Sequence, residues 1–182
     1  MLRLTISLSG GASLGAYQAG ACAALLTALG SLREDGVDVR LDATGGASAG
    51  AIVGMMTAHA ALAGLDGGEV MHAAWVEKVD IDTLLRRGSR GPLSLEEVRK
   101  QLPDVLRDAA QAHPPQEHPV MLHAALTGLR GLTYPIPGLR DGEPMTAVTY
   151  ADWKDFKLEP GRGVEQLLEP RPGSSLKSFQ SA

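Results

Sequence analysis

The sequence is poor in cysteine and aromatic residues and has no long apolar run. Its single cysteine, Cys22, excludes a disulfide framework within the chain, so we expect a reducing compartment and a cytoplasmic protein. Aromatic residues make up 4% of the 182 positions, which disfavours a base-stacking surface. No apolar stretch reaches the roughly 18 residues that a transmembrane helix needs. These absences favour a globular protein without a membrane span.

Charged residues are neither abundant nor clustered into a basic block. The net charge is −4, so a nucleic-acid partner is not expected. The histidines have no paired ligands at the spacing of a tetrahedral metal site, and nothing else in the chain calls for a metal or a cofactor. Hydrophobic residues make up 44% of the chain, which is enough for one domain with a core.

The most informative stretch carries the pattern Gly46-x-Ser48-x-Gly50. The alternating residues 37–41 before it predict a strand, and the apolar residues 51–63 after it predict a helix. A serine between two glycines at a strand-to-helix turn is typical of a nucleophile elbow, because larger side chains at both glycines would collide with neighbouring backbone. A close-packed turn of small residues is the alternative interpretation.

A glycine-rich loop also follows the first predicted strand, Leu2–Leu8. This strand alternates between apolar and polar residues and is rich in strand formers. The loop spans residues 9–15, and an Ala- and Leu-rich helix over residues 16–30 follows it. We expect Gly30 to end that helix.

Two interpretations compete for this loop. The spacing Gly10-x-Ala12-x-x-Gly15 departs from a dinucleotide-binding fingerprint at its second glycine, although Asp42 could supply the acidic residue of such a site. The other interpretation is an oxyanion hole. If the first two strands are parallel neighbours, both loops emerge at the same edge of the sheet, and the amides of Gly10, Gly11 and Ala12 would face the Ser48 hydroxyl.

A glycine-rich strand–loop–helix followed by a GxSxG elbow on the next strand resembles the patatin-like phospholipase family over roughly residues 2–63. The resemblance implies a three-layer α/β/α fold with a mainly parallel central sheet, and lipid acyl-hydrolase activity through a Ser–Asp dyad without a cofactor. Carried over to this sequence, it makes Ser48 the nucleophile and places Gly10, Gly11 and Ala12 on the oxyanion loop. The chain departs from the family at Ala12, where glycine is usual, and at Leu14, where many members have a basic residue.

The family's proton acceptor is an aspartate in a D-G-[GA] turn well downstream of the elbow. Asp66-Gly67-Gly68 has these letters, but it lies at the far end of the elbow helix, so we interpret it as a turn. Asp141-Gly142 comes later and is the remaining candidate, although a small third residue is missing. The resemblance therefore implies the N-terminal part of a patatin-like domain, apparently without the aspartate segment and inactive if so.

Two alternatives to that enzyme remain open. One is a non-catalytic fragment or regulatory remnant of such a protein. The other is an α/β-hydrolase-type esterase with a serine–acid–histidine triad, which would need a late histidine from His113, His118 or His123. The elbow comes early in the chain for that fold.

The rest of the chain adds supporting elements. Residues 69–78 predict a short helix, residues 120–126 predict a central strand, and residues 146–150 are expected to pair near it. The basic residues 86–92 predict a solvated loop, with peripheral contact to anionic lipid as the alternative interpretation. We expect the patatin-like domain to cover residues 1–159, and residues 160–182, rich in Pro, Gly and Ser, to form a loosely ordered tail. The expected partner is a lipid or another acyl ester.

Overall fold

The computed structural model describes residues 1–11, 14–78, 96–136, 145–161 and 169–170. Within these stretches, five strands form one sheet in the order β1-β2-β3-β4-β5. They are β1 Leu2–Leu8, β2 Val39–Ala47, β3 Val120–Ile136, β4 Met145–Leu158 and β5 Glu169–Pro170. β1, β2 and β3 are parallel neighbours, whereas β4 pairs antiparallel with β3, and β5 antiparallel with β4. The predicted pairing of the first two strands is confirmed.

The described helices are α1 Leu14–Glu34, α2 Ala49–Ala63, α3 Gly67–His72 and α4 Glu96–Asp108, and a π-helix, Ala73–Lys78, continues α3. α2 packs on the face of the sheet that carries Thr44, whose hydroxyl donates to the carbonyl oxygen of Gly54 over 3.0 Å. On the opposite face, Thr5, Ser7 and His123 are exposed within the described part of the chain. The α/β fold class is confirmed.

The hydrophobic core lies between α2 and the first three strands. Leu41, Val53, Met56 and Val120 are fully buried there. Cys22 on α1 belongs to the same cluster and is 3% exposed. Burial raises the pKa of its thiol, which opposes formation of a nucleophilic thiolate. Cys22 is therefore a small residue of the core.

α1 differs from the prediction at its end. Gly30 was expected to stop the helix, but the helix continues to Glu34 and the chain turns at Gly36, where φ is +77°. Gly30 instead gives room to a neighbouring segment, since a Cβ at this position would overlap the ring of His113. Gly30 therefore allows His113 to pack closely against α1, and the prediction that it ends the helix is wrong.

Two strands are longer than their apolar patterns indicate. β2 extends through Gly45 and Gly46 to Ala47, because β1 pairs with it on one side and β3 on the other. β3 continues past residue 126 to Ile136 as one arm of a hairpin with β4. Residues 146–150 were expected to pair near residues 120–126. They lie on the neighbouring strand β4 but pair further along β3, whereas residues 120–126 pair with residues 152–158.

The segment between α4 and β3 is fixed to β2 by one buried glutamine. The Gln116 side chain accepts from the backbone N–H of Leu41 over 2.8 Å and donates to the carbonyl oxygen of the same residue over 2.9 Å. Its Oε1 also accepts from Arg33 over 2.9 Å. This segment thus contains one buried side chain that replaces part of a strand ladder beside β2.

No helix in the described ranges is long and apolar enough to cross a membrane.

Candidate active site

Ser48 occupies the turn between β2 and α2 in a backbone conformation that L-residues rarely adopt. Its φ is +52° and its ψ is −124°, and within the described ranges it alone among non-glycine residues has a positive φ. Such conformations cost about 1–3 kcal/mol and concentrate at functional sites. The serine is exposed, and its side chain does not cap the helix that it precedes. The hydroxyl is therefore presented to solvent at the tip of a strained turn.

The glycines on either side of Ser48 lie in close backbone contacts. A Cβ on Gly46 would lie 2.5 Å from the carbonyl carbon of Gly50. A Cβ on Gly50 would lie 2.5 Å from the carbonyl oxygens of both Leu8 and Ser9. Because these neighbours are backbone atoms, they cannot move aside as a flexible side chain would. The steric reason that the sequence suggested for the two glycines is thus found in the structure.

The loop after β1 lies directly against this turn. A Cβ on Gly10 would lie 3.5 Å from the Cβ of Ser48 and 3.3 Å from the carbonyl oxygen of Ala47. Gly11 has a φ of +149°, a value that glycine accepts much more readily than other residues. Its carbonyl oxygen accepts the N–H of Leu14 over 3.2 Å, which begins α1. The structure therefore brings Gly10 to the elbow, with Gly11 as the next residue of the loop, while Ala12 lies outside the described residues.

The N-terminus of α2 adds a favourable electrostatic environment. The N–H groups of Ala51 and Ile52 donate to the carbonyl oxygen of Ser48 over 3.0 and 3.4 Å. The preceding N–H groups, of Ala49 and Gly50, have no partner within an α-helix by its geometry. With the helix dipole, they favour negative charge close to Ser48.

Gly15, the last glycine of the loop motif, has a packing function. A Cβ at this position would overlap the ring of Trp75, which lies against the first turn of α1. Asp42, the acidic residue of the dinucleotide interpretation, forms ion pairs with Arg3 and Arg40. Neither residue has the role that a dinucleotide site would give it.

The structure describes one of the two aspartate candidates, Asp66. Asp66 accepts the N–H of Glu69 over 2.9 Å and caps α3, at the end of α2 remote from Ser48. This agrees with its interpretation as a turn residue. Asp141 lies outside the described residues, so its role as proton acceptor stays a prediction.

One histidine–carboxylate pair lies near the elbow, and no sequence motif predicted it. His123 Nδ1 is 2.6 Å from Asp155 Oδ1, between residues that face each other on β3 and β4. His123 also lies beside Gly45 of β2, three residues before Ser48. At roughly 3.3 Å per residue, Ser48 is about 10 Å further along the strand. His123 is therefore badly placed to take the proton of Ser48 directly.

The other two late histidines are remote from the elbow. His113 contacts Glu34 over 2.9 Å, near the C-terminal end of α1. His118 is exposed and its carbonyl oxygen accepts from Gln116 over 2.8 Å, near the start of β3. Neither residue supports the serine–acid–histidine triad that the sequence left open.

A groove of about 500 Å³ runs along the exposed face of the sheet beside the elbow. Its lining includes Ser7, Gly45, Ala47, His123, Trp153 and Asp155. A cavity of about 530 Å³ lies elsewhere, between α3 and α4. No described residue of the elbow or of the loop after β1 lines that cavity, so the groove is the concavity associated with the candidate site. Among the described residues, no cluster of side chains could hold a metal ion.

The sequence model of the Patatin family, described as patatin-like phospholipase, matches residues 6–134. The match covers well over half of the chain, runs from within β1 to within β3, and includes the glycine-rich loop and the elbow. The chain belongs to the patatin-like phospholipase family. Searches of curated proteins and of solved structures returned no match.

Membership of the patatin-like family places the chain among lipid acyl hydrolases. It also supports a functional site at the carboxyl ends of β1 and β2, which is where open sheets usually bind their ligands. In this patatin-like chain, Leu14 is exposed at the start of α1, beside Gly11. The departure from a basic residue at this position therefore changes the surface next to the elbow.

Proposed function

We propose that this patatin-like chain is a serine acyl hydrolase that cleaves carboxylic esters of lipids through Ser48. One observation carries the proposal: an exposed serine in a strained turn lies against a glycine-rich loop at the edge of a parallel sheet. The backbone strain at Ser48 and the close contact with Gly10 are difficult to explain by packing alone. The patatin-like family match supports the same reaction class.

In the proposed reaction, Ser48 Oγ attacks the ester carbonyl and forms a tetrahedral intermediate. The carbonyl oxygen then becomes an oxyanion, which the amides of the Gly10, Gly11 and Ala12 loop would stabilise together with the N-terminus of α2. Collapse of the intermediate releases the alcohol and leaves an acyl–serine ester, which water hydrolyses to the fatty acid. No step requires a metal or a cofactor.

The proton of Ser48 needs an acceptor, and we propose Asp141 for this role. The proposal follows the family's Ser–Asp arrangement, because a serine hydroxyl is a weak nucleophile without a base. Asp141→Asn should lower Ser48-dependent turnover of a p-nitrophenyl ester by at least 100-fold. Asp66→Asn is the matched control, since asparagine also caps helices and should preserve turnover.

A fluorophosphonate probe and a p-nitrophenyl ester test the proposed function directly. Wild-type protein should be labelled on Ser48, as shown by peptide mass spectrometry, and should hydrolyse the ester. Ser48→Ala should abolish both, whereas Ser31→Ala, an exposed serine near the other end of α1, should change neither. Absence of labelling in folded wild-type protein would instead support a non-catalytic member of the family.

A further inference from the structure

The His123–Asp155 pair forms the polar end of the groove beside the elbow. The two side chains are 49% and 21% exposed, so the pair is open to solvent and to a ligand. Gly45 separates Ser7 on β1 from His123 on β3 in the strand register. A Cβ on Gly45 would lie 3.5 Å from that of His123. Because Gly45 has no side chain, the surface of the groove between Ser7 and His123 is open.

The groove leads from this pair to the elbow. Its lining continues from His123 through Gly46 to Ala47, which is bonded directly to Ser48. Gly45 is the residue of β2 beside His123, and Ser48 lies three positions further along the chain, a distance of about 10 Å. An alcohol the size of glycerol or a sugar, esterified at the carbonyl that Ser48 attacks, can extend along the groove towards His123. The groove is therefore placed to hold the alcohol part of an ester attacked by Ser48.

The described lining of the groove contains no lysine or arginine. If His123 is neutral, the His123–Asp155 pair carries one negative charge, and if His123 is protonated the pair has no net charge. In neither state does the pair provide the net positive charge that favours binding of a phosphate. The groove is thus electrostatically unfavourable for an anionic headgroup.

The nearby cations that the structure describes are engaged elsewhere. Arg3 and Arg40 form ion pairs with Asp42. On β4, Lys157 Nζ lies 2.6 Å from a carboxylate oxygen of Glu159. Lys154, also on β4, lies over the ring of Phe156, with Nζ 5.1 Å from its centre.

On the other side of the elbow, the described residues also provide no cationic side chain. Leu14 is 45% exposed beside Gly11, at the position where many patatin-like sequences have a basic residue. This observation is independent of the groove, since Leu14 belongs to α1. Both sides of Ser48 therefore present uncharged or acidic surface in the described part of the chain.

We propose that the groove binds the alcohol part of the substrate and selects neutral esters of polyhydroxy alcohols over phosphate-bearing lipids. With Nδ1 donating to Asp155, a neutral His123 presents Nε2 as a hydrogen-bond acceptor, and the Asp155 carboxylate accepts as well. Ser7 both donates and accepts, and Trp153 is 60% exposed and offers apolar surface to the C–H groups of a polyol. Hydroxyl donors match this set of acceptors, whereas a phosphate brings further acceptors and negative charge.

The first test compares two substrates with the same acyl chain. A monoacylglycerol and a lysophosphatidic acid are supplied as monomers, and the ratio of their kcat/KM values is measured. The wild-type ratio should favour the monoacylglycerol by at least tenfold. Asp155→Lys should reduce the ratio by at least tenfold, mainly through KM, because it places a cation in the groove.

Lys157→Gln is the matched control, since Lys157 lies two residues further along the same strand but does not line the groove. It should preserve the ratio. A purely structural defect in Asp155→Lys would lower both kcat/KM values together and leave the ratio unchanged, which would overturn the proposal. Equal or better hydrolysis of the lysophosphatidic acid by the wild type would overturn it as well.

This proposal rests on the proposed function of Ser48, so a second test measures binding without catalysis. Ser48→Ala protein that also carries Trp75→Phe keeps Trp153 as its one tryptophan. A non-hydrolysable alkylglycerol ether should change its fluorescence at concentrations at least tenfold lower than an alkyl phosphate of equal chain length. The reverse order would refute the groove's selectivity, whether or not the chain hydrolyses esters.

Discussion

The side-chain amide of Gln116 pairs with both backbone groups of Leu41, one bond accepted over 2.8 Å and one donated over 2.9 Å. Gln116 is 3% exposed and Leu41 is fully buried. The amide therefore satisfies a buried donor and a buried acceptor of β2, at the strand that ends in Ser48. Few side chains can replace it, because an amide offers both functions in one plane.

Gln116→Ala should lower the free energy of unfolding by about 2–4 kcal/mol. The substitution leaves the N–H and the carbonyl oxygen of Leu41 buried without a partner, and each such group typically costs about 1–3 kcal/mol. Urea denaturation followed by circular dichroism measures the change. Glu117→Ala, at the exposed neighbouring position, is the control and should change stability by less than about 0.5 kcal/mol.

Gly50→Ala should prevent the elbow from forming in its present geometry. The new methyl group would lie 2.5 Å from two backbone oxygens, of Leu8 and Ser9, so β1 and α2 must separate. We expect a loss of at least about 2 kcal/mol of stability and loss of fluorophosphonate labelling at Ser48. Chemical denaturation and labelling kinetics report the two effects.

Gly20→Ala is the matched control for that prediction. Gly20 lies within α1, and a Cβ there would meet no heavy atom within 4 Å. Alanine is favoured over glycine in a helix interior by about 0.8–1.0 kcal/mol, so this variant should be more stable than the wild type. A destabilised Gly20→Ala protein would contradict the described packing of α1.

Ser48→Gly should stabilise the protein while removing its proposed activity. Glycine adopts a φ of +52° without the steric cost that serine bears, and the relief should amount to about 1 kcal/mol or more. Ser48→Ala removes the hydroxyl but keeps the Cβ, so it should lack this gain. Equal unfolding midpoints for the two variants in urea would show that the turn is not strained.

His59 should make the stability of the protein depend on pH. Burial lowers its pKa from the ordinary 6.5, because the imidazolium would lose its hydration inside the core. The unfolded chain then binds the proton more readily than the folded one. Stability should therefore be fully present above pH 6.5 and fall as the pH drops below that value, by at most about 1.4 kcal/mol per pH unit.

Urea denaturation between pH 5 and pH 7.5 measures this dependence, and His59→Gln should flatten it. His118→Gln is the control, because His118 is exposed and should leave the slope as in the wild type. The same slope in the His59→Gln protein would assign the effect to another group.

The elements around the elbow were predictable because local signals and packing requirements agree there. The alternation of Leu2–Leu8, the glycines around Ser48 and the apolar run after it each predict the structure that is found. The end of α1 was not predictable from the sequence. A glycine at position 30 usually indicates the end of a helix, and only the residue that packs against Gly30 explains why a glycine lies inside this one. That neighbour is the ring of His113, which is 83 residues away from Gly30 in sequence.

The groove was hidden from sequence analysis for a similar reason. His123 lies in an apolar run that resembles a buried strand, and Asp155 lies 32 residues further along the chain. Only the antiparallel register of β3 and β4 makes them partners. A hydrogen-bonded pair formed by strand register leaves no spacing motif, unlike the elbow, whose residues are adjacent in the chain.

The elbow and the polar end of the groove are built by different parts of the chain. The loop at Gly10 and the turn at Ser48 are brought together by a single strand–helix–strand–helix unit, which ends at Ala63. The polar end of the groove comes from the β3–β4 hairpin, encoded far downstream. Under the proposed function, exchanging residues on the hairpin would change which alcohol is accepted while leaving Ser48 and the loop at Gly10 unchanged, so substrate range and chemistry could diverge independently in such proteins.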